Sequence, residues 1–318
     1  MSHNPFSADK DRAQRLAALE GTMGPLIASS LAEAAAHGSH RPDLNAGGIV
    51  PAAIVAGLMA QHQLRTIEEL MLLGLGAARA LARPPISAFM VGAIGLERET
   101  GNLILGRNVE VPGTTLATTI HGEGFVMTRA AQRGTTIAAI ALGEAHPCAH
   151  CRQYISEFAA SRDMVLIDPL GHRLTMAELY PWPFDPGYLG ETGFVPGATN
   201  NLRLAENSLE APVAAALIQA GNLSWSPYSH CPGALVLTLA DGQRVSGFAV
   251  ESVAFNPGIS PGQAALVALL AHGYEPDDIR SAALGTRLGG AVDYARSTAE
   301  LLAQLSPSAQ LDIVGWQV

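Results

Sequence analysis

Cysteine is scarce in this chain, with three in 318 residues. A count that is low and odd excludes a disulfide framework and leaves metal binding, catalysis or inert burial for the thiols. Charge is also sparse, at 15% of residues, and unbalanced, with 19 basic side chains against 28 acidic ones and a net charge of −9. An acidic surface repels phosphate backbones, so no nucleic-acid partner is expected and a small neutral molecule is the more natural one. Mean hydropathy is +0.20, yet no long hydrophobic run exists. The longest, residues 49–60, is interrupted by Pro51 and Gly57 and falls short of the ~18–20 residues of a spanning helix. The opening MSHNPFSADKDRAQ is polar and carries two acids, unlike a secretory signal. A cytoplasmic protein without a membrane partner is expected. What is plentiful is apolar: 48% of residues are hydrophobic, which excludes a disordered chain. At ~100–200 residues per domain, the length predicts two domains or three.

Periodicity divides the chain into elements. Ala and Leu dominate residues 12–36, a helical lead-in broken by Gly21 and Gly24. Ile67, Leu70, Met71, Gly74 and Leu75 recur at helical steps until Arg83-Pro84-Pro85 stops them. Residues 89–95 and 102–106 read as a hairpin and 119–131 as a helix. Residues 135–142 read as a buried strand, 147–160 as a helix with Pro147 in its first turn, and 164–168 as a strand. This order predicts an α/β sandwich with helices packed on a mixed sheet. Residues 180–207, rich in Pro, Gly and aromatics, read as a linker or long functional loop.

The order then restarts. Residues 211–221 read as a helix stopped at Ser226-Pro227-Tyr228-Ser229, as Pro84-Pro85-Ile86-Ser87 stops the earlier one. Strands at 234–239 and 244–249, a helix at 262–272, a strand at 279–284 and a helix at 297–305 follow. Pro85 precedes Gly106 by 21 residues and Pro227 precedes Gly247 by 20. Gly106-Arg-Asn-Val-Glu110 aligns without a gap on Gly247-Phe-Ala-Val-Glu251. These matches predict an internal duplication. The expected parts are an N-terminal helical segment (1–48), a catalytic domain (49–179), the linker (180–207) and a second, non-catalytic copy (208–318).

The chemistry concentrates in His121-Gly122-Glu123 and Pro147-Cys148-Ala149-His150-Cys151, with Pro147 standing 24 residues after Glu123. This is the H-x-E and P-C-x-x-C pattern of zinc deaminases. Zinc takes four tetrahedral ligands, and a catalytic site keeps one position for water. Two cysteines three apart at a helix start can turn both sulfurs to one point, where the helix N-terminus favours thiolates. His121 can add a neutral nitrogen, and His150 is the alternative imidazole. Glu123, two residues beyond His121, can reach the water without binding the metal. A structural zinc site would want a fourth protein ligand, and a redox pair would need neither His-x-Glu nor the preceding proline. Cys231 has no such partners and reads as an inert buried thiol.

Phe89-x-Val91-Gly-Ala-Ile94, Gly106-Arg-Asn108-Val-Glu110, His121-Gly-Glu123 and Pro147-Cys148-x-His150-Cys151-Arg152-Gln153 together resemble the cytidine deaminases. The likeness is to the large homodimeric form with a degenerate second deaminase-like domain, from about residue 50 to the end. The resemblance implies a duplicated three-layer α/β/α sandwich and one Zn²⁺ per chain held by His121, Cys148 and Cys151. It implies that Glu123 is the proton shuttle and that Asn108 and Glu110 bind the ribose hydroxyls. Phe89 would pack on the pyrimidine, and Phe184, in Pro183-Phe184-Asp185-Pro186, would reach the neighbouring subunit's site. In the second copy, Pro261-Gly-Gln263 stands against His121-Gly-Glu123, and no Cys or His occurs near Gly289-Gly290-Ala291-Val292. That copy cannot bind zinc or shuttle protons.

The expected activity is hydrolytic deamination of cytidine, and of 2′-deoxycytidine, within pyrimidine salvage. Gly122 and Gly124 depart from the family's usual residues, as do Met90 and Val111, and they put substrate range in question. The alternatives are a zinc deaminase of another amino-heterocycle and a non-catalytic zinc-stabilised binding protein. An intact Glu123 argues against the second, since structural zinc has no use for that acid.

Overall fold

The structure is a computed structural model that describes residues 4–38, 47–143 and 146–317. The end of the expected N-terminal segment, residues 39–46, lies outside the described residues. Helix α1 (Lys10–Ala36) opens at Asp9, whose side chain accepts from the amides of Asp11 and Arg12. Strand β1 (Ile49–Val50) and helices α2 (Ala52–Gln61), α3 (Ile67–Leu73) and α4 (Leu75–Ala80) follow. Next come β2 (Gly92–Glu97), β3 (Leu103–Arg107), α5 (Gly122–Arg133), β4 (Ile137–Leu142), α6 (Ala149–Ser156), β5 (Val165–Ile167), β6 (Arg173–Thr175) and α7 (Met176–Leu179). The later half holds β7 (Arg203–Leu204), α8 (Ala211–Asn222), β8 (Ala234–Leu239), β9 (Arg244–Phe248), α9 (Pro261–Ala271), β10 (Ile279–Thr286), α10 (Tyr294–Leu305) and β11 (Gln310–Gln317).

The strands form two sheets, ordered β1-β3-β2-β4-β5-β6 and β7-β11-β10-β8-β9. The duplication is visible in them. β2 pairs antiparallel with β3 and β4, and β4 pairs parallel with β5. β8 pairs antiparallel with β9 and β10, and β10 pairs parallel with β11. A helix preceding the hairpin (α4, α8) and one following it (α5, α9) pack on each sheet.

Alternation along the strands builds the layers. Ala93, Ile104, Ile140 and Leu166 face the core under Val126 and Met127 of α5 and Tyr154 and Ile155 of α6. Their neighbours Ile94, Leu105, Ala141 and Ile167 face the opposite core, filled by Ile27 and Leu31 of α1 and Leu70 and Met71 of α3. The first sheet is therefore sandwiched between helical layers. In the second, Leu235, Leu237 and Leu284 lie under α9 and α10, while Val236 and Ala283 face the side of α8. Among the described residues, no helix is long and apolar enough to cross a membrane.

Several boundaries differ from the sequence reading. β2 begins at Gly92, not at 89, because Asn108 clamps the preceding segment. Its Oδ1 accepts from the Val91 amide at 2.9 Å and its Nδ2 donates to the Phe89 carbonyl at 2.8 Å. Helix α5 begins at Gly122 rather than 119, since Ile120 is held in a bridge to Val109. Pro147 lies outside α6, whose N-cap is Cys148, and the helix ends at Ser156 rather than at 160. Strand β11 is absent from the sequence reading. QLDIVGWQ does not alternate in burial, and its place comes from parallel pairing with β10.

Candidate zinc and catalytic site

Two helix starts converge on the thiols. His121 is the N-cap residue of α5, and Cys148 is that of α6, where its sulfur accepts from the Cys151 amide at 3.4 Å. His121 Nδ1 stands 3.5 Å from Cys148 Sγ and 3.3 Å from Cys151 Sγ. Tetrahedral zinc with its usual bond lengths separates such nitrogen and sulfur ligands by about 3.6 Å, so this donor set fits the metal in number, type and spacing. Hydrogen bonds from Cys151 and His121 push the Cys148 thiol down to about 3. Its bond to Cys148, together with burial, pushes Cys151 up. The bond to Cys148 also raises His121 against the effect of burial. The three groups thus share protons that a dication would displace.

Glu123 lies in the first turn of α5 and is 4% exposed. Burial holds its carboxyl above the ordinary range, outweighing the pull of His121. An acid poised in this way can both accept and return a proton. His150 is outside the ligand group: its Nε2 lies 3.1 Å from the Asn256 carbonyl oxygen, donating toward the second half.

A cleft of about 270 Å³ opens beside His121, with Gly124, His150 and Cys151 on one side and Asn256 and Ile259 on the other. The second half therefore supplies a wall. The two unusual glycines differ in role. A Cβ on Gly122 would meet the Ala93 Cβ at 3.1 Å, and one on Gly106 would meet the Gly122 carbonyl at 2.6 Å. Both let α5 sit close on the sheet. A Cβ on Gly124 would meet nothing within 4 Å, so Gly124 widens the cleft.

The remaining expected site residues are placed less simply. Asn108 is the clamp described above. Glu110 accepts from the amides of Ile86 and Ser87 at 2.8 and 2.9 Å and from the Ser87 hydroxyl at 2.6 Å. These bonds outweigh burial and hold its carboxyl below the ordinary range. Phe89 is 53% exposed. Phe184 is tied to the thiol-bearing helix through its backbone. Gln153 donates to its carbonyl at 2.7 Å and accepts from its amide at 3.2 Å. Its ring packs on Tyr188.

One residue escaped the sequence reading altogether. Glu157, fully buried at the end of α6, accepts from Trp225 Nε1 at 2.7 Å, the Tyr228 hydroxyl at 2.7 Å and the Val253 amide at 2.8 Å. It fastens the thiol-bearing helix to the second half. No local spacing announces it, because its partners are 68, 71 and 96 residues away.

The second copy lacks the chemistry, but its equivalences shift by one residue. The bridge Val109–Ile120 matches Val250–Ile259, and the N-cap His121 matches the N-cap Ser260. Glu123 therefore corresponds to Gly262 and Gly124 to Gln263, rather than Glu123 to Gln263. The hydroxyl of Ser260 accepts from the Gln263 amide, and Gln263 Oε1 accepts from the Ser260 amide. A capping box has replaced ligand and acid. Cys231 is buried, and its thiol donates to the Ser229 carbonyl.

The chain is similar in sequence to known proteins along most of its length. The profile of the cytidine and deoxycytidylate deaminase zinc-binding region matches residues 64–167, and a second profile of the same description matches residues 177–299. A cytidine deaminase of Aliivibrio fischeri is 34% identical over 269 residues, covering 83% of this chain and 88% of that protein. One from Shewanella baltica is 32% identical over 258 residues, covering 81% and 86%. The crystal structure of cytidine deaminase from Mycobacterium leprae is 29% identical and covers 35% of this chain and 95% of its own, with a TM-score of 0.32. Zinc is the cofactor that the matched region and the His/Cys/Cys cluster share. With both halves matched in turn, and with relatives of this identity aligned along most of its length, the chain belongs to the cytidine deaminase family.

Proposed function

We propose that the protein hydrolyses cytidine, and 2′-deoxycytidine, to the uridine product and ammonia, one water being consumed for each ammonia released. The observation that carries this reading is the convergence of Cys148 and Cys151, at the start of α6, on His121 at the start of α5, whose first turn also holds the buried acid Glu123. His121 and the two thiolates would hold zinc. Bound there, zinc supplies Lewis acidity, bringing a water's pKa toward neutrality. Glu123 takes the proton from that water and places it on ring N3, which makes C4 electrophilic. The water oxygen bonds to C4, and Glu123 then carries that oxygen's remaining proton to the 4-amino nitrogen, so that the C4–N bond breaks and ammonia leaves. Asn108 and Glu110 would meet the ribose hydroxyls. Glu110 Oε1 accepts a hydrogen bond from the Ser87 hydroxyl, and a carboxylate oxygen has room for another. Phe89 would lie against the base, and Phe184 would serve a neighbouring subunit.

The same reading places the protein in the cytoplasm as a homodimer acting in pyrimidine salvage, with one zinc per chain. Three cysteines, too few for a disulfide framework, support a reducing compartment. It keeps residues 49–179 as the catalytic unit, 208–318 as a non-catalytic copy and 180–207 as the connection between them. The test is steady-state ammonia release from cytidine, deoxycytidine, cytosine and CMP by zinc-loaded protein. Turnover of the nucleosides with little on cytosine is expected. Equal rates on cytosine and cytidine would remove the ribose role of Asn108 and Glu110. Zinc binding without turnover of any nucleoside would leave a binding protein.

A further inference from the structure

A second cluster of metal-ligating side chains lies apart from the thiols. His146 stands in the loop after β4, Asp168 follows β5, and His172 precedes β6. His146 Nε2 lies 2.8 Å and His172 Nδ1 2.7 Å from the same oxygen, Asp168 Oδ2. The other oxygen is already committed: Asp168 Oδ1 accepts from the amides of Leu170 and His172 at 2.9 and 3.0 Å. The carboxylate is thus oriented from behind by backbone donors, with its free edge presented to two imidazoles. Supporting contacts of this kind orient the ligands of metal sites.

Burial follows the same logic. Asp168 is 6% exposed, while the side chains of His172 and His146 are 25% and 66% exposed. An anchored carboxylate at the base and an open rim leave a fourth position for water. Tetrahedral ligands at usual zinc distances stand ~3.4 Å apart, so the two nitrogens need to draw back from Oδ2 by only about 0.6 Å. The ligand atoms of all three residues already lie within 4.8 Å of one another, as do those of His121, Cys148 and Cys151. The nearby cations Arg12 and Arg173 both pair with Glu68.

A hydrogen-bonded knot alone explains this arrangement less well. An ion pair to an imidazole as exposed as that of His146 is weak, which is little reason for two rings to meet at one buried carboxylate oxygen. We propose that His146, Asp168 and His172 form a second divalent-cation site, of nitrogen and oxygen donors suited to Zn²⁺ or a neighbouring transition metal. It is separate from the thiolate site. The site would tie the loop that leads into Pro147-Cys148 to the turn between β5 and β6.

The test is calorimetric titration of Zn²⁺ into the full chain after passage over a chelating resin that leaves the thiolate-held metal, with total metal counted by elemental analysis. Two equivalents per chain are expected at saturation. His146→Ala, at an exposed position, and His172→Ala should each lose one equivalent. Both should retain the wild-type melting temperature measured before Zn²⁺ is added. Cys148→Ser should lose the other equivalent and keep the one that depends on His146. A wild-type total of one equivalent would overturn the proposal. So would a second equivalent that persists in both histidine variants.

Discussion

Glu110 and Glu251, 141 residues apart, make the same clasp. Glu110 accepts from the amides of Ile86 and Ser87 and from the Ser87 hydroxyl; Glu251 accepts from the amides of Tyr228 and Ser229 and from the Ser229 hydroxyl. The next residue in each turn, Ala88 or His230, has a φ of 56° or 54°, a left-handed conformation that non-glycine residues adopt at a cost. The carboxylates hold that turn. Because the second half, which holds no His/Cys/Cys cluster among the described residues, retains the clasp, the clasp belongs to the fold, and any ribose contact by Glu110 is an added duty.

Glu110→Gln and Glu251→Gln should therefore destabilise the protein alike. Each removes charge from a three-donor clasp, where a hydrogen bond to a charged group contributes ~1.5–3 kcal/mol. Urea denaturation measures the loss. Only Glu110→Gln should also reduce kcat/KM for cytidine. Equal kinetic loss in both variants would show that the turn, and not a substrate contact, governs activity.

Glu123→Gln should abolish the proton relay while leaving the metal ligands untouched. Proton transfer by a positioned acid or base is worth roughly 10²–10⁴-fold. A fall in kcat of at least that lower bound is expected, with zinc content by elemental analysis unchanged. Chelation of the wild-type protein should remove activity by the other route, through loss of metal.

The far end of α5 is fixed by charge. Glu97, at the end of β2 and 1% exposed, accepts from Arg133 Nε at 2.5 Å and from the Thr135 hydroxyl at 2.8 Å. Burial pushes its carboxyl up, but Arg133, Thr100 and Thr135 outweigh it and hold it below the ordinary value of 4.5. A depressed carboxyl stabilises the fold above its unfolded pKa, and that contribution is lost as pH falls through its folded one. Glu97→Gln takes the charge from the hydrogen bonds that Arg133 and Thr135 make to it, at a cost of about 1.5–3 kcal/mol near neutrality. The gap between wild type and variant, followed by denaturation against pH, should stay level down to about pH 4.5 and narrow below it.

Gly124→Ala should raise stability and narrow the cleft together. Alanine is favoured over glycine by ~1 kcal/mol in a helix interior and by less in the first turn, where Gly124 stands, and a new Cβ would meet no atom within 4 Å. Denaturation should show the gain. Analogues bulkier than cytidine should lose kcat/KM relative to cytidine, by ~10-fold or more where a group is crowded.

The two halves of the His121/Cys148/Cys151 cluster were legible in the sequence because each spacing is local. A cysteine at a helix N-cap and another three residues on share one side of one turn wherever that helix packs, and His121 at the N-cap of α5 stands within one turn of Glu123. The duplication was legible from matched strand glycines, Gly106 in β3 and Gly247 in β9, each of which lets the following helix lie against the sheet. The one-residue shift between copies was not, because the order of residues does not reveal which one becomes an N-cap. Ser260 becomes one through the bridge from Val250 to Ile259. Tertiary structure alone decided the Asn108 clamp, the role of Glu157, the wall that Asn256 adds to the cleft, and the meeting of His146 with Asp168 and His172. Each depends on hydrogen bonds or packing between segments far apart in the chain, and such contacts have no period for a sequence to display.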